Sequence, residues 1–217
     1  MHRARQHAQT RTSERRQRLA HEAARLMAEG GIRDYHQAKL KAAGRLGIHD
    51  DASLPRNREI EDALRQYQRI FLGQAQDIVL RRLREAATHA LEFFADFQPR
   101  LVGPVLEGTA DDASPVHLHL HADDPDAVAH FLDLHGIPAQ ARERRMRLDR
   151  HRAIDAPVWL FVAEEVAFDV AVLPLDTVRQ APLSAIDERP MPRASLARLR
   201  QLLAEEEIAA YEDSRPL

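Results

Sequence analysis

The spacing of apolar positions changes at Gln98, from a helical period before it to a mixed pattern after it. Leu19, Ala23, Leu26 and Met27 recur at helical spacing, and Gly30-Gly31 closes a helix predicted over residues 14–30. A second helix opens after Asp34, whose side chain suits an N-cap, and Gly47 ends it. The stretch from His49 to Pro55 is a polar loop. A long helical stripe then follows through Ile60, Leu64, Tyr67, Ile70 and Phe71. Ile78, Leu80, Leu83, Ala87, Leu91 and Phe94 continue it, and Gly73 is the point where the helix would kink or split. Residues 14–97 are therefore expected to be all-helical.

Beyond Gln98 the elements are short. Arg100 to Gly103 reads as a strand running into a turn, and Val116 to His121 alternates strictly, as a strand does. Asp124-Pro125 opens a helix with Pro125 at its first position, Val128, Phe131, Leu132 and Leu134 on its buried face, and Gly136 as its stop. Residues 141–150 carry Arg142, Arg144, Arg145, Arg147 and Arg150. They are expected as an exposed strand protected from edge pairing by charge, or as a patch that steers a phosphate-rich ligand. Val158 to Val162 is a continuous apolar run suited to a buried strand. Glu164-Glu165 would turn the chain into a partner strand, Val166 to Leu173, which Pro174 ends. A loop reaches Pro192, and Ser195 caps a last helix through Leu203. The fold class predicted is α+β: a helical N-terminal region, then a small mixed β-sheet with flanking helices.

Composition narrows the picture. The chain has 217 residues, 44% of them apolar and only 5% aromatic, so its core must rest on Leu, Val, Ile and Ala. No apolar run approaches the roughly 20 residues that span a bilayer, so no membrane partner is expected. The Arg-rich start lacks the apolar stretch of a secretory signal. With no cysteine there is no disulfide framework, thiol nucleophile or thiolate metal site, which fits a cytoplasmic protein. The net charge of −3 hides an asymmetry. Residues 1–18 form a basic tail, read as solvated and partly disordered, that could also bind phosphate backbones. Residues 204–217 form an acidic tail. Between them lie a helical region, 19–97, and an α/β core, 98–203.

Candidate chemistry gathers in that core. Leu101-Val102-Gly103-Pro104-Val105-Leu106-Glu107-Gly108-Thr109-Ala110 gives a strand, a Gly turn and a short helix start. Ser114-Pro115 then leads into the strand bearing His117, His119 and His121, and Asp169 stands on a later strand. From about Leu91 to Leu173 this layout resembles the polymerase-β-like nucleotidyltransferases. Members of that family carry Leu-x-Gly-Ser-x-x-x-Gly, then Asp-x-Asp on the next strand and a third carboxylate on a neighbouring one. The resemblance implies a sheet of nucleotidyltransferase type, with Gly103, Gly108 and Thr109 at the nucleotide phosphates and Asp169 as the third carboxylate. The family's carboxylates hold two Mg²⁺ ions for in-line phosphoryl transfer.

The departures fall where the chemistry is done. Pro104 stands in place of the phosphate-binding Ser, removing a hydroxyl and a backbone N–H. Glu107 stands where many members carry Lys or Arg. The Asp-x-Asp pair falls on Pro115 and His117, or on His117 and His119 in a register slipped by two. Neutral imidazole is a poor ligand for Mg²⁺. The leading expectation is thus a catalytically degenerate relative that binds a nucleotide, RNA or a protein partner. Two His at i and i+2 on a strand share a face and are also a way to chelate Zn²⁺, Ni²⁺, Cu²⁺ or Mn²⁺, so a second expectation is a divergent metal-dependent nucleotidyltransferase or phosphoester enzyme. Its metal ligands would be His117, His119, His121 and Asp169, with Asp169 catalytic. Two blander readings of the His strand stand beside it: a solvent-exposed face, or neutral His hydrogen-bonded across a former Mg²⁺ cleft. A third function class is a helical module that forms homo-oligomers through residues 14–97. No P-loop and no dinucleotide fingerprint is present.

Overall fold

The computed structural model describes residues 2–71, 73–124, 126–184 and 187–213, and the chain divides into two compact units, Met1–Gln76 and Asp77–Leu217. The described residues form seven α-helices and one six-stranded mixed sheet. None of these helices is long and apolar enough to cross a membrane.

The first unit is helical. Helix α1 spans His2–Gly30, α2 Tyr35–Leu46 and α3 Asn57–Phe71. Their apolar faces meet in one core of Leu19, Ala23, Leu26, Ala38, Ala42, Ile60 and Leu64. Ala23, Ala24, Ala38 and Ala42 are fully buried in it, so much of this core is built from small side chains. Asp34 caps α2 by accepting from Gln37 N–H at 2.7 Å, and Gly47 closes it at φ 63°. Glu59 accepts from the backbone N–H of Arg56 at 2.6 Å, closing the first turn of α3.

Two expectations change here. Residues 2–18 are helical and continuous with α1 rather than a disordered tail, and Arg15 pairs with Asp50 at 3.2 Å. The long stripe breaks where the helix breaks: Ile60 and Leu64 are buried, but Ile70 and Phe71 are exposed. Helix α4 (Gly73–Phe93) begins afresh, with Gly73 at φ 40°. From Asp77 onward α4 belongs to the second unit, because Leu80, Leu83, Ala87, Leu91 and Phe94 pack into the core of the sheet.

In the second unit the strands are β1 (Arg100–Val102), β2 (Val116–His121), β3 (Gln140–Arg147), β4 (Ala153–Ala163), β5 (Val166–Leu173) and β6 (Arg193–Ala194). The sheet order is β3-β4-β5-β2-β1-β6, with β2 and β5 parallel and every other pair antiparallel. A four-residue helix, α5 (Pro104–Glu107), links β1 to β2, and α6 (Asp126–Leu134) follows β2. Pro125, expected at the first position of α6, lies outside the described residues. Glu164 and Glu165 take φ 50° and 63° in the tight turn between β4 and β5.

The last helix, α7, runs Leu196–Asp213, well past the expected end at Leu203. Most of the expected acidic tail is therefore helix, and its Glu206 pairs with buried Arg84 of α4. Arg84 also donates to the carbonyls of Val105 at 3.0 Å and Leu106 at 3.4 Å. One buried cation thus caps the open end of α5.

Each sheet face is set by strand parity. Leu101, Leu118, Leu120, Val170 and Val172 share a face and pack against apolar side chains of α4, α6 and α7, including Leu83, Leu132 and Leu199. The opposite face carries His117, His119, His121, Asp169, Ala171 and Leu173. The registers extend it to Arg100 and Val102 on β1, Arg193 on β6, Val158 and Ala156 on β4, and Arg142 and Arg144 on β3.

Candidate functional site

Backbone pairing brings three of the sequence candidates, Gly103, His117 and Asp169, together at one point of that second face. His117 stands beside Asp169 in the parallel β2–β5 register and opposite Val102 in the β1–β2 register. The turn after Val102 places Gly103 against the His117 ring, where an added Cβ would lie 3.4 Å from Cδ2. Gly103 itself sits at φ 72°, ψ −156°, a conformation essentially confined to glycine. The strand-turn-strand geometry thus depends on this residue. Gly103→Ala should lower stability by about 1–3 kcal/mol through backbone strain, read as a drop in thermal midpoint; an unchanged midpoint would refute the strained-turn account.

Asp169 is nearly buried, its side chain 10% exposed. Both of its oxygens are held by one guanidinium: Arg144 Nη1 donates to Oδ1 at 2.9 Å and Nη2 to Oδ2 at 2.6 Å. His117 Nδ1 lies 3.5 Å from Oδ1. Burial alone would raise the carboxyl pKa, but the contacts to His117 and Arg144 outweigh it and hold the group well below the usual carboxylate range. Arg144 reaches Asp169 because Arg144 pairs with Ala156 across β3 and β4, which puts it on the same sheet face two strands away.

The two inner histidines are not on a solvent-exposed face. His119 is 4% exposed and His121 1%. The 3-10 turn Leu175–Val178 packs against β2, and Arg193 Nη1 donates to the Thr177 carbonyl at 3.1 Å, tying this segment to β6. His121 Nδ1 lies 2.9 Å from the carbonyl of Gln98, so that nitrogen carries the proton and donates. Nδ1 of His119 and Nε2 of His121 are buried without a hydrogen-bond partner. Burial, chiefly, pushes the His119 pKa down to about 3 and that of His121 to about 4, so both rings are neutral at pH 7. The solvent-exposed reading of the His strand is therefore corrected: His119 and His121 are buried, and strand alternation alone does not announce that its polar face is covered.

Of the residues expected to ligate a metal, His117 and Asp169 are brought into contact. His119 and His121 lie farther along the same strand face, beside Ala171 and Leu173. Among the described residues no three His, Asp or Glu side chains come together in a geometry that could hold a metal ion. Gly108 and Thr109 lie at the far end of α5, where Gly108 packs against the Arg84 guanidinium. Asp112 pairs with Arg82 at 3.0 Å, and Asp124 accepts from Asp126 N–H at 3.0 Å as a helix cap.

The basic run on β3 is largely neutralised in place. Arg145 pairs with Asp155 and Arg147 with Glu188, alongside the Arg144–Asp169 fork. Sequence reasoning placed Arg144 in this run without joining it to Asp169, and it missed Arg100 and Arg193 altogether. Parity on β1 was the available signal for Arg100, since Arg100 and Val102 must share a face.

Comparison with protein-family models, with curated proteins and with solved structures returns no match. The functional reading therefore rests on the site's own geometry.

Proposed function

We propose that this chain is a nucleotidyltransferase-like protein that has given up two-metal phosphoryl transfer and serves as a binding module for nucleotide or RNA. Several features support the nucleotidyltransferase reading. A Gly turn follows β1, β2 returns antiparallel to β1, and β5 lies parallel to β2 with Asp169 level with His117. Pro115 precedes β2 while His117 and His119 both lie on it, which favours the register that sets these two at the Asp-x-Asp positions over the one that uses Pro115 and His117.

The observation that carries the loss of catalysis is the Arg144 fork. A carboxylate that gives one lone pair of each oxygen to a guanidinium already has its charge balanced, and the +1 charge of Arg144 repels a divalent cation. The neighbours that would have to complete such a site are imidazoles, which suit Mg²⁺ poorly. Arg144 thus supplies the positive charge that balances Asp169, as a tethered cation would.

Calorimetric titration with ATP and CTP, with and without Mg²⁺, Mn²⁺ or Zn²⁺, tests this reading, together with an assay for pyrophosphate release. The expected result is metal-independent binding, no pyrophosphate, and Asp169→Ala binding nucleotide within a few-fold of wild type. Metal-dependent pyrophosphate release that disappears in Asp169→Ala would overturn it. Tight Zn²⁺ or Mn²⁺ binding abolished by His119→Ala would instead establish the His/Asp site as a metal centre.

A further inference from the structure

On the second sheet face, positive charge outruns negative. Arg100 and Arg193 lie there with Arg142 and Arg144 on the outer strand β3 and three histidines, and Asp169 is the one carboxylate that the strands place among them. Arg144 is consumed by Asp169. Arg100 and Arg193 have no carboxylate partner among the described residues: Arg100 Nη1 donates to the Pro99 and Gln98 carbonyls at 2.8 and 3.4 Å, and Arg193 Nη1 to the Thr177 carbonyl. Among the described residues, no acceptor takes the Nε or Nη2 donors of either guanidinium.

The two cations are also held near each other. Arg193 pairs with Val102, and Arg100 lies two residues before Val102 on the same face. Burial and the positive charge of Arg100 both lower the pKa of Arg193. Two like charges fixed side by side, half-buried and without a counter-ion, are costly unless an anion shares them. Beside them, Arg100 stands opposite His119, whose Nδ1 is buried and unpartnered. With His119 neutral, the excess positive charge at this edge rests on the two arginines. Planar guanidinium forks with free Nε and Nη2 edges match phosphate oxygens two at a time.

Resting on the binding-module reading, we infer that Arg100 and Arg193, with His119 beside them, form an anion site for a phosphate group of a nucleotide or of an RNA backbone. The site lies on the β1–β6 side of the sheet, away from the Arg144–Asp169 fork. It gives the module a ligand chemistry that does not pass through the altered metal position.

The test is titration of the full chain with inorganic phosphate, with ATP, and with a single-stranded oligoribonucleotide at several salt concentrations. The variants are Arg100→Gln, Arg193→Gln and the pair, with Arg142→Gln on the outer strand as control. Wild type should bind at least one probe. Each single Gln variant should weaken binding about tenfold, the pair more, and the control should match wild type. If ATP is the true source, the oligonucleotide binds no better than inorganic phosphate. If RNA is, the oligonucleotide binds tightest, and its salt slope falls by about 0.7 for each arginine removed. The Arg→Lys pair keeps the charge and loses the forks, so it should fall between wild type and the Gln pair. It carries the test should the Gln pair fail to fold. Binding by a folded Gln or Lys pair equal to wild type, or no binding of any probe by wild type, would overturn the site. Metal-dependent pyrophosphate release would overturn the non-catalytic reading instead, whatever these affinities are.

Discussion

Arg144→Ala should destabilise the protein by about 1–3 kcal/mol at pH 7. Removing one partner of a fully buried ion pair costs about 3–5 kcal/mol. Arg144 is 44% exposed, so solvent screening reduces that figure. What remains is the cost of leaving Asp169 nearly buried with only the 3.5 Å contact to His117. The sign of the pH dependence follows from the carboxylate. Its pKa in the folded protein lies below the value of about 3.9 expected when unfolded. The pairing therefore stabilises fully above that value and is lost as pH falls through the folded pKa. The gap between wild type and Arg144→Ala should be widest near neutrality and close as the pH is taken below about 4. Urea midpoints across this range measure it, and Asp169→Asn, which removes the charge itself, should show the same narrowing. Equal midpoints for wild type and Arg144→Ala at pH 7 would show that the fork contributes nothing, and the tethered-cation account would go with it.

The strands that face this site were legible because their patterns are local. The alternation from Val116 to His121 marks β2 at its observed ends. The apolar run through Trp159 marks the core of β4, and the Glu164-Glu165 pair marks the turn that follows. The positions of Asp34, Gly47 and Ser195 were readable for the same reason: a cap is settled by a few neighbouring residues. Where the helix boundaries differ from expectation, the deciding contacts are distant in sequence. Helix α7 continues beyond Leu203 with Glu206 meeting Arg84, far back on α4. Helix α4 joins the sheet unit because its stripe fits the Leu118 face, which no local pattern can announce.

The site was half legible on the same principle. Gly103, His117 and Asp169 were singled out from motif spacing, and the sheet brings these three together. Arg144 was seen only as one charge in a run of five. Its aim at Asp169 depends on two successive antiparallel registers, β3 on β4 and β4 on β5. A shift of one residue in either would turn Arg144 to the opposite face. Arg193 is harder still, since β6 is two residues long and follows a segment without periodicity. The burial of His119 and His121 has the same origin. An alternating strand predicts that one face is polar, and here that polar face is covered.

The covering of those histidines has the second large consequence, a loss of stability in mild acid. An unfolded histidine titrates near 6.5. In the folded protein, burial, chiefly, lowers His119 to about 3 and His121 to about 4. Between those values and 6.5 the unfolded chain binds protons that the folded chain refuses. Each histidine then favours unfolding by up to about 1.4 kcal/mol per pH unit. The contribution is fully stabilising above pH 6.5, falls as the pH drops below it, and levels off only once the folded pKa is passed. Between pH 6 and pH 4 the two together should remove several kcal/mol, a large share of the roughly 5–15 kcal/mol that holds a typical domain folded. Urea midpoints measured at half-unit intervals from pH 7.5 to 4 should therefore fall steeply. His119→Met and His121→Met fill similar volume without a titrating ring, and each should remove about half of the slope. A wild-type midpoint that stays flat down to pH 5 would mean that these rings accept protons in the folded state. The sealed sheet face described for them would then be wrong, and with it the neutral surroundings assigned to Arg100 and Arg193.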